Sequence, residues 1–235
     1  GTHPCLHAPT QKAMLARGEE PTPNLHNCSG KHTGFLAHAL LRRLPKADYI
    51  DPLHPVQQTV LQTFADMVDY PVEKIAIGID GCSAPVFAVP LYNAAYGFAR
   101  LADPRDLPEV RATACRQVTR AMVAGPDRFD TLAMELGRGR WVCKAGAEGY
   151  QGIAILPGAL GAGSPGLGIA FKIADGDLTG RARPVAAIEV LRQLGLISEQ
   201  QIRENLAGLA ARPVTNWRKL EVGELRPAFQ LSLAG

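Results

Sequence analysis

The chain has 235 residues, 46% of them apolar and 20% charged, with a net charge of +3. That is enough for one sizeable core and is ordinary for a globular protein. The positive charge is too thinly spread for a phosphate-tracking stripe: Arg42-Arg43 and the Arg181/Arg183 pair stand isolated, so nucleic acid is not an expected partner, and no apolar run reaches the length of a membrane span.

The opening Gly1-Thr2-His3-Pro4 has neither an initiator methionine nor a disordered lead-in, and it reads as the middle of a longer chain. All six histidines lie between His3 and His54, which concentrates polar chemistry in the first quarter. After a polar, Pro-rich loop from Pro21 to Gly30, residues 31–43 read as a helix. Phe35, Leu36, Ala39 and Leu40 lie on one stripe, Ser29 is its expected N-cap, and Gly34 suggests close packing. A second helix begins with Pro55 in its first turn and carries Val56, Val60, Phe64 and Met67 on one face. Residues 74–79 read as a buried strand ending at Asp80-Gly81, and residues 87–91 as a strand ahead of a helix over 92–101.

Residues 109–124 predict a helix with Val110, Ala114, Val118 and Met122 at fourfold spacing, and 127–136 a short one. Residues 141–156 and 167–175 read as the two best strands, an antiparallel hairpin joined by the Gly/Pro/Ser-rich loop 157–166. Two helices follow, over 185–196 and 198–209, the second opened by a capping box of Ser198 and Gln201. The expected architecture is α+β: one domain over residues 1–235, an antiparallel sheet with helices packed against it.

Five cysteines (Cys5, Cys28, Cys82, Cys115, Cys143) make an odd set with spacings unlike a disulfide scaffold, which fits a reducing cytoplasm. Cys115 sits on an amphipathic helix, and it and Cys5 read as structural. Cys28 and Cys82 differ. They lie in the polar, glycine-flanked segments Asn27-Cys28-Ser29-Gly30-Lys31-His32 and Asp80-Gly81-Cys82-Ser83-Ala84-Pro85, which suit a thiolate better than a buried thiol. Two sulfurs with Lys31 and His32 supply the S and N donors that zinc accepts, although the spacing is not that of a zinc finger and lysine binds metal only as the neutral amine. Spacing alone equally allows two ordinary thiols in structural turns.

Lys144, entering a strand and followed by Ala145-Gly146-Ala147-Glu148-Gly149, is similar to the Lys-Thr-Gly element of penicillin-recognising enzymes; a surface lysine in a Gly-rich strand is the plainer alternative. The Gly-Lys at positions 30 and 31 is not a phosphate loop, because residue 25 is Leu and His32 stands at the Ser/Thr position. No Ser-x-x-Lys occurs in the chain. His3, His7 and His26 read as loop residues, Asp130-Thr131 as a cap, and Asp175-Gly176-Asp177 as a turn.

Taken together, Gly1-Thr2-His3-Pro4, Asn27-Cys28-Ser29-Gly30-Lys31-His32-Thr33-Gly34, Asp80-Gly81-Cys82-Ser83-Ala84-Pro85, Lys144-Ala145-Gly146-Ala147-Glu148-Gly149 and Lys172-Ile173-Ala174-Asp175-Gly176-Asp177 resemble the rhizobial-type (class 3) L-asparaginases, the asparaginase II family. The resemblance implies a serine β-lactamase-like or penicillin-binding-protein-like fold and a homodimer that hydrolyses L-asparagine to L-aspartate and ammonia. It implies Cys28, Lys31 and Cys82 as metal ligands with zinc as the ion, and Lys144 as a catalytic lysine. Asn27, His32 and Asp80 adjoin these as substrate-binding or supporting residues. It further implies that the family's serine nucleophile and Ser-x-x-Lys lysine lie upstream, so that these residues form the C-terminal two-thirds of a longer protein and are inactive alone. The rival readings are a glutaminase-like amidase and a zinc-stabilised binding or structural domain without catalysis.

Overall fold

A computed structural model describes residues 2–122 and 129–232. The chain divides into two compact units, one of Gly1–Asp66 with Tyr70–Val89 and one of Met67–Asp69 with Pro90–Gly235.

The first unit contains helix α1 (Ala8–Ala16), helix α2 (Ser29–Leu41), helix α3 (Pro55–Val68) up to the unit boundary, and an antiparallel ribbon of β1 (Ala76–Ile79) and β2 (Pro85–Ala88). Helix α1 is not expected from the sequence; α2 and α3 begin close to where the sequence places them, with two differences in α2. Ser29 lies inside α2, and the N-cap is Cys28, whose side chain caps no N–H. A Cβ at Gly34 would meet nothing within 4 Å, so that glycine is not a close-packing device.

On α3 the expected face is joined by Leu61, Ala65 and Val68, all buried. Leu61, Ala65 and Ile75 form a small core against which Phe64 and Phe87 pack, their ring centroids 5.1 Å apart. The apolar run of β1 is not a buried strand: all four residues are exposed, Ile79 at 63%. A two-stranded ribbon has too few neighbours to bury its strands, and apolar composition alone could not reveal that.

The second unit is built on a three-stranded antiparallel sheet in the order β3 (Trp141–Ala145), β4 (Tyr150–Ile155), β5 (Leu167–Lys172). Residues 141–156, which read as one strand, form two. Glu148 (φ 54°) and Gly149 (φ 74°) occupy the left-handed region in succession, and the Tyr150 N–H donates to the Ala147 carbonyl at 3.4 Å, closing a type I′ turn. The usual Asn or Asp is missing from that turn, and Glu148 in its place hides the signal.

Register puts Val142, Lys144, Gly152, Ala154, Gly168 and Ala170 on one sheet face, and helix α4 (Leu91–Ala102) packs there. The glycines make that approach possible: a Cβ at Gly168 would lie 1.8 Å from the Ala95 carbonyl oxygen, and one at Gly152 would lie 2.1 Å from the Phe98 ring. Trp141, Cys143, Ile153 and Ile155 line the other face and belong to the main core, together with Ile188 and Leu191 of helix α7 (Ala182–Gln193).

Helix α5 (Glu109–Met122) forms, but rotated from the expected stripe. Val110 is 87% exposed, while Ala112, Cys115 and Thr119 are buried. Small side chains let that stripe approach its neighbours closely, so packing overrides hydrophobic periodicity. Helix α6 spans Phe129–Gly137; the expected residues 127 and 128 lie outside those described, as do residues 123 and 124 of the α5 expectation.

The Ser198/Gln201 capping box is present and opens helix α8 (Glu199–Gln201), which passes through a π-helical stretch (Ile202–Leu206) into helix α9 (Ala207–Ala210). A second ribbon, β6 (Arg212–Thr215) with β7 (Glu221–Leu225), was not expected from the sequence. The Asp175–Asp177 segment is the turn it reads as: the Asp175 carboxylate accepts the Asp177 N–H, and the Asp177 carboxylate accepts three N–H groups, from Arg181, Ala182 and Arg183, at the start of α7. No helix among the described residues is long and apolar enough to cross a membrane.

Candidate metal centre

Two pieces of backbone in the first unit carry the site. The first is the start of α2. The Cys28 carbonyl accepts the His32 N–H, and the Cys28 N–H donates to His26 Nδ1 at 3.0 Å. Cys28 and Lys31 are three residues apart and therefore share one helix face. The second piece is the loop between β1 and β2. The Asp80 N–H donates to the Ala84 carbonyl at 2.9 Å, and the Ser83 N–H donates to the Asp80 carbonyl at 2.8 Å. Ser83 takes a left-handed φ of 69°, which turns the chain back into β2. Cβ atoms at Gly30 and Gly81 would meet nothing within 4 Å, so neither glycine serves an approach by protein backbone.

These pieces bring four donor groups together. The Cys28, Asp80 and Cys82 ligand atoms all lie within 4.8 Å of one another. Lys31 Nζ is 3.2 Å from Cys82 Sγ and 3.4 Å from Asp80 Oδ2, and Cys82 Sγ is 3.5 Å from Asp80 Oδ2. Four ligands around tetrahedral zinc stand about 3.3–3.8 Å apart, given bond lengths of about 2.0–2.3 Å. Two edges of this donor set, Lys31–Asp80 and Cys82–Asp80, therefore already have the required length, and the 3.2 Å Lys31–Cys82 edge is slightly short of it.

Electrostatics tie the four together. Burial opposes the Lys31 ammonium, but the hydrogen bond and charge of Cys82, with the charges of Cys28 and Asp80, outweigh it and raise the lysine pKa. Burial also acts against the Asp80 carboxylate, yet the Gly81 N–H, the Cys82 thiol and Lys31 hold its pKa below the usual carboxylate value. The Cys28 thiol is pushed up, by burial first and then by Cys82 and Asp80, against the pull of Lys31. A soft cation would relieve this arrangement by replacing protons on sulfur and nitrogen.

The neighbouring residues have other partners. Asn27 Oδ1 is 3.0 Å from His3 Nε2, and the His3 and His26 rings meet at a tilt of 49° with centroids 4.2 Å apart, so two of the loop histidines adjoin the site. His32 Nδ1 is paired with the Tyr49 hydroxyl at 2.6 Å, and both rings meet edge-on. Its Nε2 is buried and meets no partner among the described residues. Tyr49 escaped the sequence reading, since nothing in residues 44–54 marks a tyrosine as the partner of a histidine 17 positions earlier.

Lys144 belongs to the second unit. It lies on β3, an edge strand, exposed, with Nζ donating to the Ala145 carbonyl at 2.5 Å. Behind that edge is a polar cluster that the sequence did not reveal. Asp130 Oδ2 accepts the Ala145 N–H at 2.8 Å, Oδ1 accepts Gln151 Nε2 at 3.1 Å, and Arg183 Nη1 is 3.6 Å from the same oxygen. Asp130 reads from sequence as a helix cap; it binds instead to a strand 15 positions away.

The model of the family described as L-asparaginase II matches residues 1–227, nearly the whole chain. Among curated proteins no match is found.

Proposed function

The chain belongs to the L-asparaginase II family, and from that premise we propose that it is part of an amidohydrolase converting L-asparagine and water to L-aspartate and ammonia. The observation that carries the proposal is the convergence of two pairs distant in sequence, Cys28 with Lys31 and Asp80 with Cys82, on one small volume in a chain of this family.

In this reading Cys28, Lys31 and Cys82 hold a zinc ion, with Asp80 beside them as a further oxygen donor. When bound, the ion supplies a fixed positive centre that favours the α-carboxylate and other polar groups of an amino-acid substrate. Asn27 and His32 are the adjoining polar contacts.

The chemistry is covalent. A serine hydroxyl attacks the side-chain amide carbon, and a neutral amine takes the hydroxyl proton and returns it to the leaving nitrogen. The C–N bond breaks, ammonia departs, and water then cleaves the acyl ester to release aspartate. Because no Ser-x-x-Lys occurs in these 235 residues, the nucleophile in this proposal comes from outside them. Lys144 contributes a positive charge on a strand edge, where it lowers the proton affinity of a neighbouring amine and stabilises developing negative charge. The active assembly is a homodimer.

The test is ammonia release by the protein as encoded, from L-asparagine and from L-glutamine, alongside its metal content. Turnover of asparagine in excess of glutamine, with one zinc per chain, is the expected result. Stoichiometric zinc without ammonia from either amide would replace the enzyme with a metal-stabilised binding domain.

A further inference from the structure

We propose that Asp130 is a positioning residue for the Lys144 ammonium, acting through the Ala145 peptide groups on the outer edge of β3. The inference rests on the reading of Lys144 as a reacting group and adds what fixes it there.

In an extended strand the N–H and C=O of one residue point to the same side. At Ala145 that side is the free edge of the sheet, because β4 lies on the other flank of β3. The Ala145 N–H donates to Asp130 Oδ2 at 2.8 Å, and the Ala145 carbonyl accepts Lys144 Nζ at 2.5 Å. The carboxylate and the ammonium thus grip the backbone of one residue from the same edge. A shift of that backbone moves the amine with it.

Asp130 is itself held. Gln151, fully buried, donates to its second oxygen at 3.1 Å and to the Gly152 carbonyl at 3.1 Å, and its own side-chain carbonyl accepts Arg183 Nη1 at 2.5 Å. Arg183 lies 3.6 Å from Asp130 Oδ1 as well. The acceptor and donor roles are therefore assigned without choice: Oδ1 faces two donors and Oδ2 a third. An asparagine at position 130 must turn its NH2 toward a donor on one side or the other. Because a partly satisfied buried network is costlier than none, the substitution loosens the Ala145 backbone as well as discharging the site.

Two measurements test this in the protein as encoded. The first needs no activity: acylation of lysines by N-hydroxysuccinimide acetate, with the rate at Lys144 read by peptide mass spectrometry against the exposed Lys46. Asp130→Asn should raise the Lys144 to Lys46 ratio severalfold. The second is kinetic: kcat for asparagine should fall about tenfold while KM moves by no more than about twofold, as expected for a mispositioned charge with intact substrate binding. A purely structural aspartate would lower the melting temperature and leave both readouts at wild-type values in the folded protein; that result overturns the proposal. Should Asp130→Asn not fold, Asp130→Glu, which keeps the charge and displaces the carboxylate, decides by the same labelling ratio. Normal turnover in Lys144→Ala would sink the role of Lys144 instead, and the labelling ratio would still report whether Asp130 holds its amine.

Discussion

The Lys31 ammonium lies 3.2 Å from the sulfur of Cys82, although 51 positions separate the two residues. Local preference cannot bring about such a contact. It needs α2 and the β1–β2 loop to be independently rigid and correctly placed, and each is: one by the Cys28 carbonyl opening a regular helix, the other by two backbone hydrogen bonds across Asp80–Ala84.

The metal reading has a direct consequence. Cys28→Ala and Cys82→Ala should each reduce bound zinc from one per chain to near zero, measured by inductively coupled plasma mass spectrometry after gel filtration, with the fold intact by circular dichroism. Retention of the ion by both variants would remove the proposed centre.

Lys144→Ala should lower asparagine turnover by about a hundredfold or more, the order associated with losing one charge aimed at a developing anion. The pH–rate profile of the unsubstituted enzyme should rise toward the alkaline side, because a neutral amine must accept the hydroxyl proton. A flat profile from neutrality upward would contradict a lysine base.

Asp177 predicts an acid-sensitive fold. Burial disfavours its carboxylate, but the N–H groups of Ala182, Arg183 and Arg181 and the Arg183 charge outweigh that and hold its pKa below 3.8. A carboxylate with a lowered folded-state pKa contributes stability above its unfolded pKa, and that contribution is lost as pH falls through the folded value. Asp177→Asn should therefore cost about 1–2 kcal/mol at pH 7 and much less near pH 2. Urea denaturation at both pH values measures the difference; equal costs at the two would exclude the capping role.

Glycines on the α4 face should differ in their tolerance. At Gly168 an added Cβ meets backbone, the Ala95 oxygen at 1.8 Å and the Ala99 nitrogen at 2.3 Å, whereas at Gly152 it meets the movable ring of Phe98. Gly168→Ala should cost at least about 3 kcal/mol and Gly152→Ala about 1–2 kcal/mol. Thermal unfolding of the two variants ranks them, and the reverse order would show that α4 yields more readily than a phenyl ring.

The sequence made different parts of this molecule legible for different reasons. Helices α2, α3 and α8 carry strong local signals, and their starts lie close to expectation. The cysteine loops announced themselves because polar neighbours are unusual around a thiol. The hairpin at residues 146–149 stayed hidden because Glu148 adopts a conformation usually left to Asn, Asp or Gly. The rotation of α5 was invisible because the buried stripe is made of Ala112, Cys115 and Thr119, less apolar than the valines left outside. Asp130 carries no local mark beyond that of a cap, and Asp80, singled out beside Cys82, carries none of its contact with Lys31. Each gains its role from residues brought to it by the fold.

The loop that presents Asp80 and Cys82 owes its shape to main-chain bonds and to one left-handed serine, so it does not depend on an ion to hold it closed. Treatment with a chelator should therefore strip the centre while leaving the far-UV spectrum unchanged, unlike a zinc finger, which unfolds when its metal is withdrawn. Loading and unloading would then be reversible chemistry on a finished scaffold, governed by acidity and ion supply and not by refolding.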